Sequence, residues 1–286
     1  MLASRRPTIR FTASQTAAFI AAVILLSSAV ALRAQRAPRR DVDAEIARLA
    51  ERYAIEIVAD APTFPVKTEH SVVDGKPAKR AAIQAYATLL IPEFSLYPPE
   101  LVKRAQLKRI VLCEELSFAD QRRGAIPEYG SDTLYLDVSR GNYSPSYLRK
   151  VIHHEFFHIV DYKDDGKVYT DEQWAALNAP GFKYGGGGGK SAQGEANASI
   201  LTDKVPGFLT LYATTGVEED KAELFANLLV DFAYVEKRVR KDKILAAKAE
   251  RMRELLAEFC PEMNEAFWKT VRTTKRNNDR PEAREE

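Results

Sequence analysis

His153-His154-Glu155-Phe156-Phe157-His158 is the stretch on which the reading of this chain turns. Residues four apart on a helix lie on one face, so His154 and His158 can aim two imidazoles at a single metal ion, with Glu155 beside it. Zinc held by three protein side chains keeps one position for water and lowers that water's pKa to about 7, and a neighbouring carboxylate can take the proton released. The stretch predicts a centre for metal-assisted hydrolysis, provided that it lies on a helix and that a third ligand exists.

The flanking residues supply the helix. Ser144-Pro145-Ser146 is a helix start, with Pro145 suited to the first helical position. Tyr147, Leu148, Val151, Ile152, Phe156, Ile159 and Val160 then recur at helical spacing, and Asp164-Asp165-Gly166 reads as the turn that ends it. Two candidates stand for the third ligand. Asp164 follows the second histidine closely, but Asp161 stands where the backbone would need a glycine to turn back. Glu219 opens a second helical pattern through Ala222, Leu224, Phe225, Leu228, Leu229 and Phe232, and it shares one face with Glu223. A carboxylate one turn from a ligand suits the N–H of a metal-bound imidazole. Glu218 and Asp220 read as favourable charge in the first turn of that helix.

The set His154-Glu155-x-x-His158, Tyr212 and Glu219-x-x-x-Glu223 resembles the gluzincin metallopeptidases, most closely the group of anthrax lethal factor and the bacterial Pro-Pro endopeptidases. The likeness covers roughly residues 130–235 and is one of pattern outside the two motifs. It implies an α+β fold of the zincin type with a small sheet, an active-site helix and a helical C-terminal part. It further implies one catalytic zinc ion on His154, His158 and Glu219, with Glu155 as general base, Glu223 bonded to a zinc histidine and Tyr212 as a catalytic tyrosine. Phe157 stands where that family often has glycine.

The rest of the chain bounds the context. Its 286 residues suit a single enzyme domain with a sizeable core. Arg5, Arg6 and Arg10 precede the apolar run from Thr16 to Leu26 and an Ala29-Val30-Ala31 site, which together read as an export signal over residues 1–31. Ser4-Arg5-Arg6 hints at a twin-arginine route, with Thr8 in place of the preferred phenylalanine. Cleavage after Ala31 predicts a periplasmic or extracellular protein; an uncleaved run would anchor it in a membrane. Losing those three arginines takes the formal charge from +2 to −1, so no nucleic-acid surface is implied. The expected partner is a protein or peptide substrate. Cys113 and Cys260 read as structural, paired or as two buried thiols.

Residues 32–40 form a basic linker to a catalytic domain over 41–274. Expected within it are a helix at 41–53, a strand at 55–58, helices at 79–91 and 98–104, and strands at 108–113 and 133–138. The strand at 133–138 resembles the sheet edge on which zinc peptidases bind substrate, or is an ordinary paired strand. The glycines at 185–189 form a loop, either lid or linker. Helices are expected at 218–240, 242–259 and 262–271, and a disordered charged tail at 275–286. His153, rotated about 100° from His154, reads as a surface or packing residue, and His70 has no assigned role. The sequence thus predicts an exported zinc endopeptidase. A zincin-fold cell-envelope binding or scaffold protein without catalysis is the alternative, disfavoured by the presence of Glu155.

Overall fold

The strongest strand signal, Ile110 to Cys113, forms part of the longest strand of the fold. A computed structural model describes residues 41–139, 143–185 and 200–276. The expected export signal, the basic linker, the glycines after Gly185 and residues 277–286 lie outside the described residues. The described part is α+β, with nine α-helices and a mixed seven-stranded sheet.

Helix α1 (Val42–Tyr53) leads to β1 (Glu56–Val58), β2 (Val66–Lys67), β3 (Val72–Pro77), α2 (Arg80–Phe94) and α3 (Pro99–Arg104). Then come β4 (Arg109–Phe118), β5 (Gln121–Arg122), β6 (Ala125–Glu128), β7 (Thr133–Asp137), α4 (Pro145–Asp165) and α5 (Glu172–Ala175). A short 3-10 turn (Tyr212–Thr214) precedes α6 (Val217–Val230), α7 (Phe232–Val239), α8 (Lys243–Phe259) and α9 (Glu265–Thr273). The sheet order is β2-β3-β4-β7-β6, with β1 and β5 also paired to β4. Alternation along the strands splits the core. Ile110, Leu112, Leu134 and Leu136 face the main helical core, while Val111, Cys113, Ile126 and Tyr135 pack into a smaller cluster on the other side.

Several expected boundaries move. Strand β4 runs on to Phe118 through a bulge at Glu115, whose φ of 55° lies where the β3 register shifts. Helix α2 continues past Pro92 to Phe94. The helix expected at 218–240 breaks at Asp231 (φ −123°, ψ 48°), a residue type that favours helix ends over interiors. The last helix begins after Asn264, whose side chain caps Ala266 N, rather than at Pro261. The tail expected from Lys275 is anchored at its start, because Arg276 forms two hydrogen bonds to buried Glu93.

The strand at 133–138 is not the sheet edge. β7 pairs in parallel with β4 and antiparallel with β6, and all five of its residues are buried. Beside the site the outer strand is β6, which among the described residues pairs only with β7. Asp137 N donates to Gly124 O, so 124, 126 and 128 bond to β7 while Ala125 and Pro127 turn their backbone outward. Pro127 has no N–H to offer, which suits an outer strand and hid this one from a search for strand patterns.

Cys113 and Cys260 are both buried free thiols. No helix among the described residues is long and apolar enough to cross a membrane.

Candidate metal centre

Helix α4 carries the histidines because its ends and buried face are well specified. Ser144 accepts a hydrogen bond from Tyr147 N at 3.1 Å, Pro145 opens the first turn, and Gly166 closes the helix at φ 77°. Its apolar face seats Phe156 against Phe94 and Tyr97, at ring-centroid distances of 5.1 and 4.8 Å. Phe157 is fully buried against Phe225 of α6, with centroids 4.9 Å apart. It therefore fills the seam between the two helices.

Across that seam His154, His158 and Glu219 meet. Their ligand atoms form a tight triangle: His154 Nε2 lies 2.9 Å from Glu219 Oε2 and 3.1 Å from His158 Nε2, and His158 Nε2 lies 3.5 Å from Glu219 Oε2. All three residues are buried, and their atoms are close enough to hold one metal ion. Asp164, the other candidate ligand, lines a surface groove with Glu100, Arg104 and Glu258 instead. Helical rotation explains this, since six residues carry Asp164 about 240° round from His158.

The neighbours fix the triangle. His154 Nδ1 is 3.0 Å from Glu223 Oε1, and Glu223 Oε2 accepts a hydrogen bond from Thr210 Oγ1 at 3.0 Å. Tyr212 donates to Glu219 Oε1 at 2.7 Å, leaving Oε2 to face the imidazoles. Thr210 is a contributor that sequence reading missed; the three residues to Ala213, whose N–H it also binds, are its only local signature.

Burial and neighbours divide the proton affinities. Burial opposes charge on His154, yet hydrogen bonds to Glu219 and Glu223 hold its pKa well above the usual range. Burial works against charge on Glu219 too, and its hydrogen bonds to both histidines win, pulling its pKa far down. On Glu155 burial dominates and raises the pKa, against the charges of His154, His158 and Arg123. Burial and Glu219 push the Tyr212 phenol far up, so it stays protonated and able to donate.

Comparison with known proteins gives no match. No family model, curated protein or solved structure matches this chain.

Glu218 and Asp220 stand in the first turn of α6, as expected. Asp220 does more than place charge there: it is buried and accepts from Trp174 Nε1 at 2.8 Å, Tyr184 OH at 2.6 Å and Lys248 Nζ at 2.7 Å, tying the segment after α4 and helix α8 to α6. Glu218 is also buried and folds back over Gly216, leaving no room there for a Cβ. His153 is a packing residue, with Nδ1 2.5 Å from Tyr97 OH and Nε2 3.0 Å from Glu93 Oε2. It faces away from the metal side of α4, as its rotation predicts.

Proposed function

We propose that this protein is a zinc-dependent endopeptidase of the gluzincin kind, with a zincin-like fold. The observation that carries the reading is the donor triangle. A tetrahedral zinc with bonds of ~2.0–2.1 Å has ligand atoms about 3.3 Å apart, and the edges here are 2.9, 3.1 and 3.5 Å. Two imidazoles and one carboxylate also form the donor set of catalytic zinc sites that keep a fourth position open.

A zinc ion held by His154, His158 and Glu219 would supply polarisation of a substrate carbonyl and acidification of a water. The chain's own residues supply the rest. Glu155, adjacent to the ligand His154, takes the proton as general base and delivers it to the leaving amine. Tyr212, protonated across the working pH range, gives its hydrogen bond to the developing oxyanion once it leaves Glu219. Glu223 holds His154 in the tautomer that presents Nε2 to the metal. The outer edge of β6, packed beside α4, offers the carbonyls of Ala125 and Pro127 and the N–H of Ala125 to an extended peptide, which would bind as an added strand. Export remains part of the proposal through the signal-like N-terminus.

The test is to incubate the purified protein with a diverse peptide mixture and to identify new termini by mass spectrometry, with Glu155→Gln as matched control. Cleavage by the wild type alone supports a peptidase and reports its preferred residues. A zinc-loaded wild type that cleaves no peptide in the mixture or in cell-envelope extracts would move the reading to a non-catalytic binding protein.

A further inference from the structure

The metal centre uses His154 and His158 in the same way, through Nε2, but the structure supports the two rings unequally. A neutral imidazole that presents the Nε2 lone pair carries its proton on Nδ1. The Nδ1 of His154 meets Glu223 at 3.0 Å. The Nδ1 of His158 is buried and meets no partner among the described residues. A buried N–H left unpaired is costly, and ligating histidines nearly always donate this proton to a carboxylate or carbonyl.

One unused acceptor fits. Asp161 lies three residues after His158 and seven after His154, so all three share one stripe of α4. It is 2 % exposed. Its Oδ1 is 2.5 Å from Lys221 Nζ, and its Oδ2 is likewise buried without a partner. Lys221 also holds Asp171 at 3.1 Å, so the ammonium pins Asp161 from the α6 side and fixes which oxygen is free. An orphaned acceptor on the facing helix α6, Asn227 Oδ1, sits two turns beyond Glu219, toward the end of that helix away from the metal.

Resting on the zinc reading above, we propose that Asp161 is the positioning carboxylate of His158. It would accept the Nδ1 proton across a single bridging water, since the two atoms are not in direct contact, with Lys221 holding it in place. Each zinc histidine then has its own carboxylate: Glu223 from the partner helix for His154, and Asp161 from the same helix for His158. Lys221, two residues from the ligand Glu219, links that support to the helix that supplies the third ligand.

The test is zinc affinity, measured on the purified full chain by competition with a chromophoric chelator. Asp161→Asn keeps the size of the side chain and an oxygen for Lys221, and is expected to weaken zinc binding 10- to 100-fold, as loss of such support typically does. Asp164→Asn, one turn further along α4, is expected to bind zinc as the wild type does. A purely structural role would lower the melting temperature of the metal-free protein without moving the zinc Kd of the folded fraction. Should Asp161→Asn fail to fold, long-range proton–nitrogen NMR of the zinc-loaded wild type decides. A slowly exchanging His158 Nδ1–H supports the assignment; a rapidly exchanging one overturns it. Zinc affinity of Asp161→Asn within two-fold of the wild type overturns this inference alone, whereas a wild type that takes up no zinc overturns the metal centre and this inference together.

Discussion

Glu155 and Glu219 are two carboxylates beside the same pair of imidazoles, and their surroundings drive their proton affinities apart. Glu219 is hydrogen-bonded by both histidines and stays ionised, as the proposed ligand role requires. Burial raises Glu155, as suits a group that has to take up a proton near neutral pH. The two therefore fail differently when neutralised. Glu155→Gln is expected to retain stoichiometric zinc and lose ~10²- to 10⁴-fold in kcat, whereas Glu219→Gln is expected to lose the metal; metal analysis beside turnover separates them. Tyr212→Phe removes a donor that burial keeps protonated, and kcat should fall about 10²-fold with KM little changed. Because the same hydroxyl holds Glu219 Oε1, a modest loss of zinc affinity is expected alongside. That these side chains meet was readable in advance, because His154, His158, Glu219 and Glu223 sit at spacings that helix geometry turns into shared faces. Asp161 and Thr210 were not, because a lone Asp or Thr has no pattern until its neighbour across the seam is known.

At the scale of elements, the strand at 133–138 is the ordinary paired strand of its two readings, not a substrate-binding edge, and the outer one is the Pro-containing β6. A peptide added to that edge would bond with alternate residues only. Peptides N-methylated at successive positions should therefore show losses in kcat/KM with a period of two, each about five-fold for a bond of roughly 1 kcal/mol. A uniform loss along the peptide would exclude strand addition on β6. Helices α2 and α4 are joined behind the site by Glu93, which is 2 % exposed and bonded to Arg149, His153 and Arg276. Burial opposes its charge, but His153 and Arg276 hold its pKa down at about 2. Since the folded-state value lies below the unfolded one, this contribution is complete above the unfolded carboxylate range. It fades as pH falls and is gone below about 2. A depression from 4.5 to about 2 corresponds to roughly 3 kcal/mol. Glu93→Gln is expected to flatten the acid limb of the stability curve between those pH values, read by denaturant titration, while leaving residual stability at pH 2 close to that of the wild type.

At the scale of the molecule, chain segments far apart in sequence converge on α4 and α6, the two helices that carry the candidate metal centre. Arg276 reaches Glu93 across 183 positions, and Lys248 of α8 reaches Asp220 beside the proposed ligand Glu219. Truncation after Thr274 removes Arg276 and is expected to lower stability by about 1.5–3 kcal/mol, seen as a fall in melting temperature without loss of zinc. What the sequence by itself determined was periodic and local: the caps and buried stripe of α4, the two carboxylates at helical spacing on α6, the strand cores of β4 and β7, and the pair of histidines that face one way. Those follow from backbone geometry and side-chain hydrophobicity, which act over a few residues. Only the tertiary structure decided that Glu219 rather than Asp164 closes the donor triangle, that β6 rather than β7 is the outer strand, and that Asp161, Asp220 and Glu93 are buried and bound by cations. Each of those depends on which distant surfaces come together. Burial in a low-dielectric seam makes a charge seek a specific partner, and that partner is chosen by packing that no short stretch of sequence encodes.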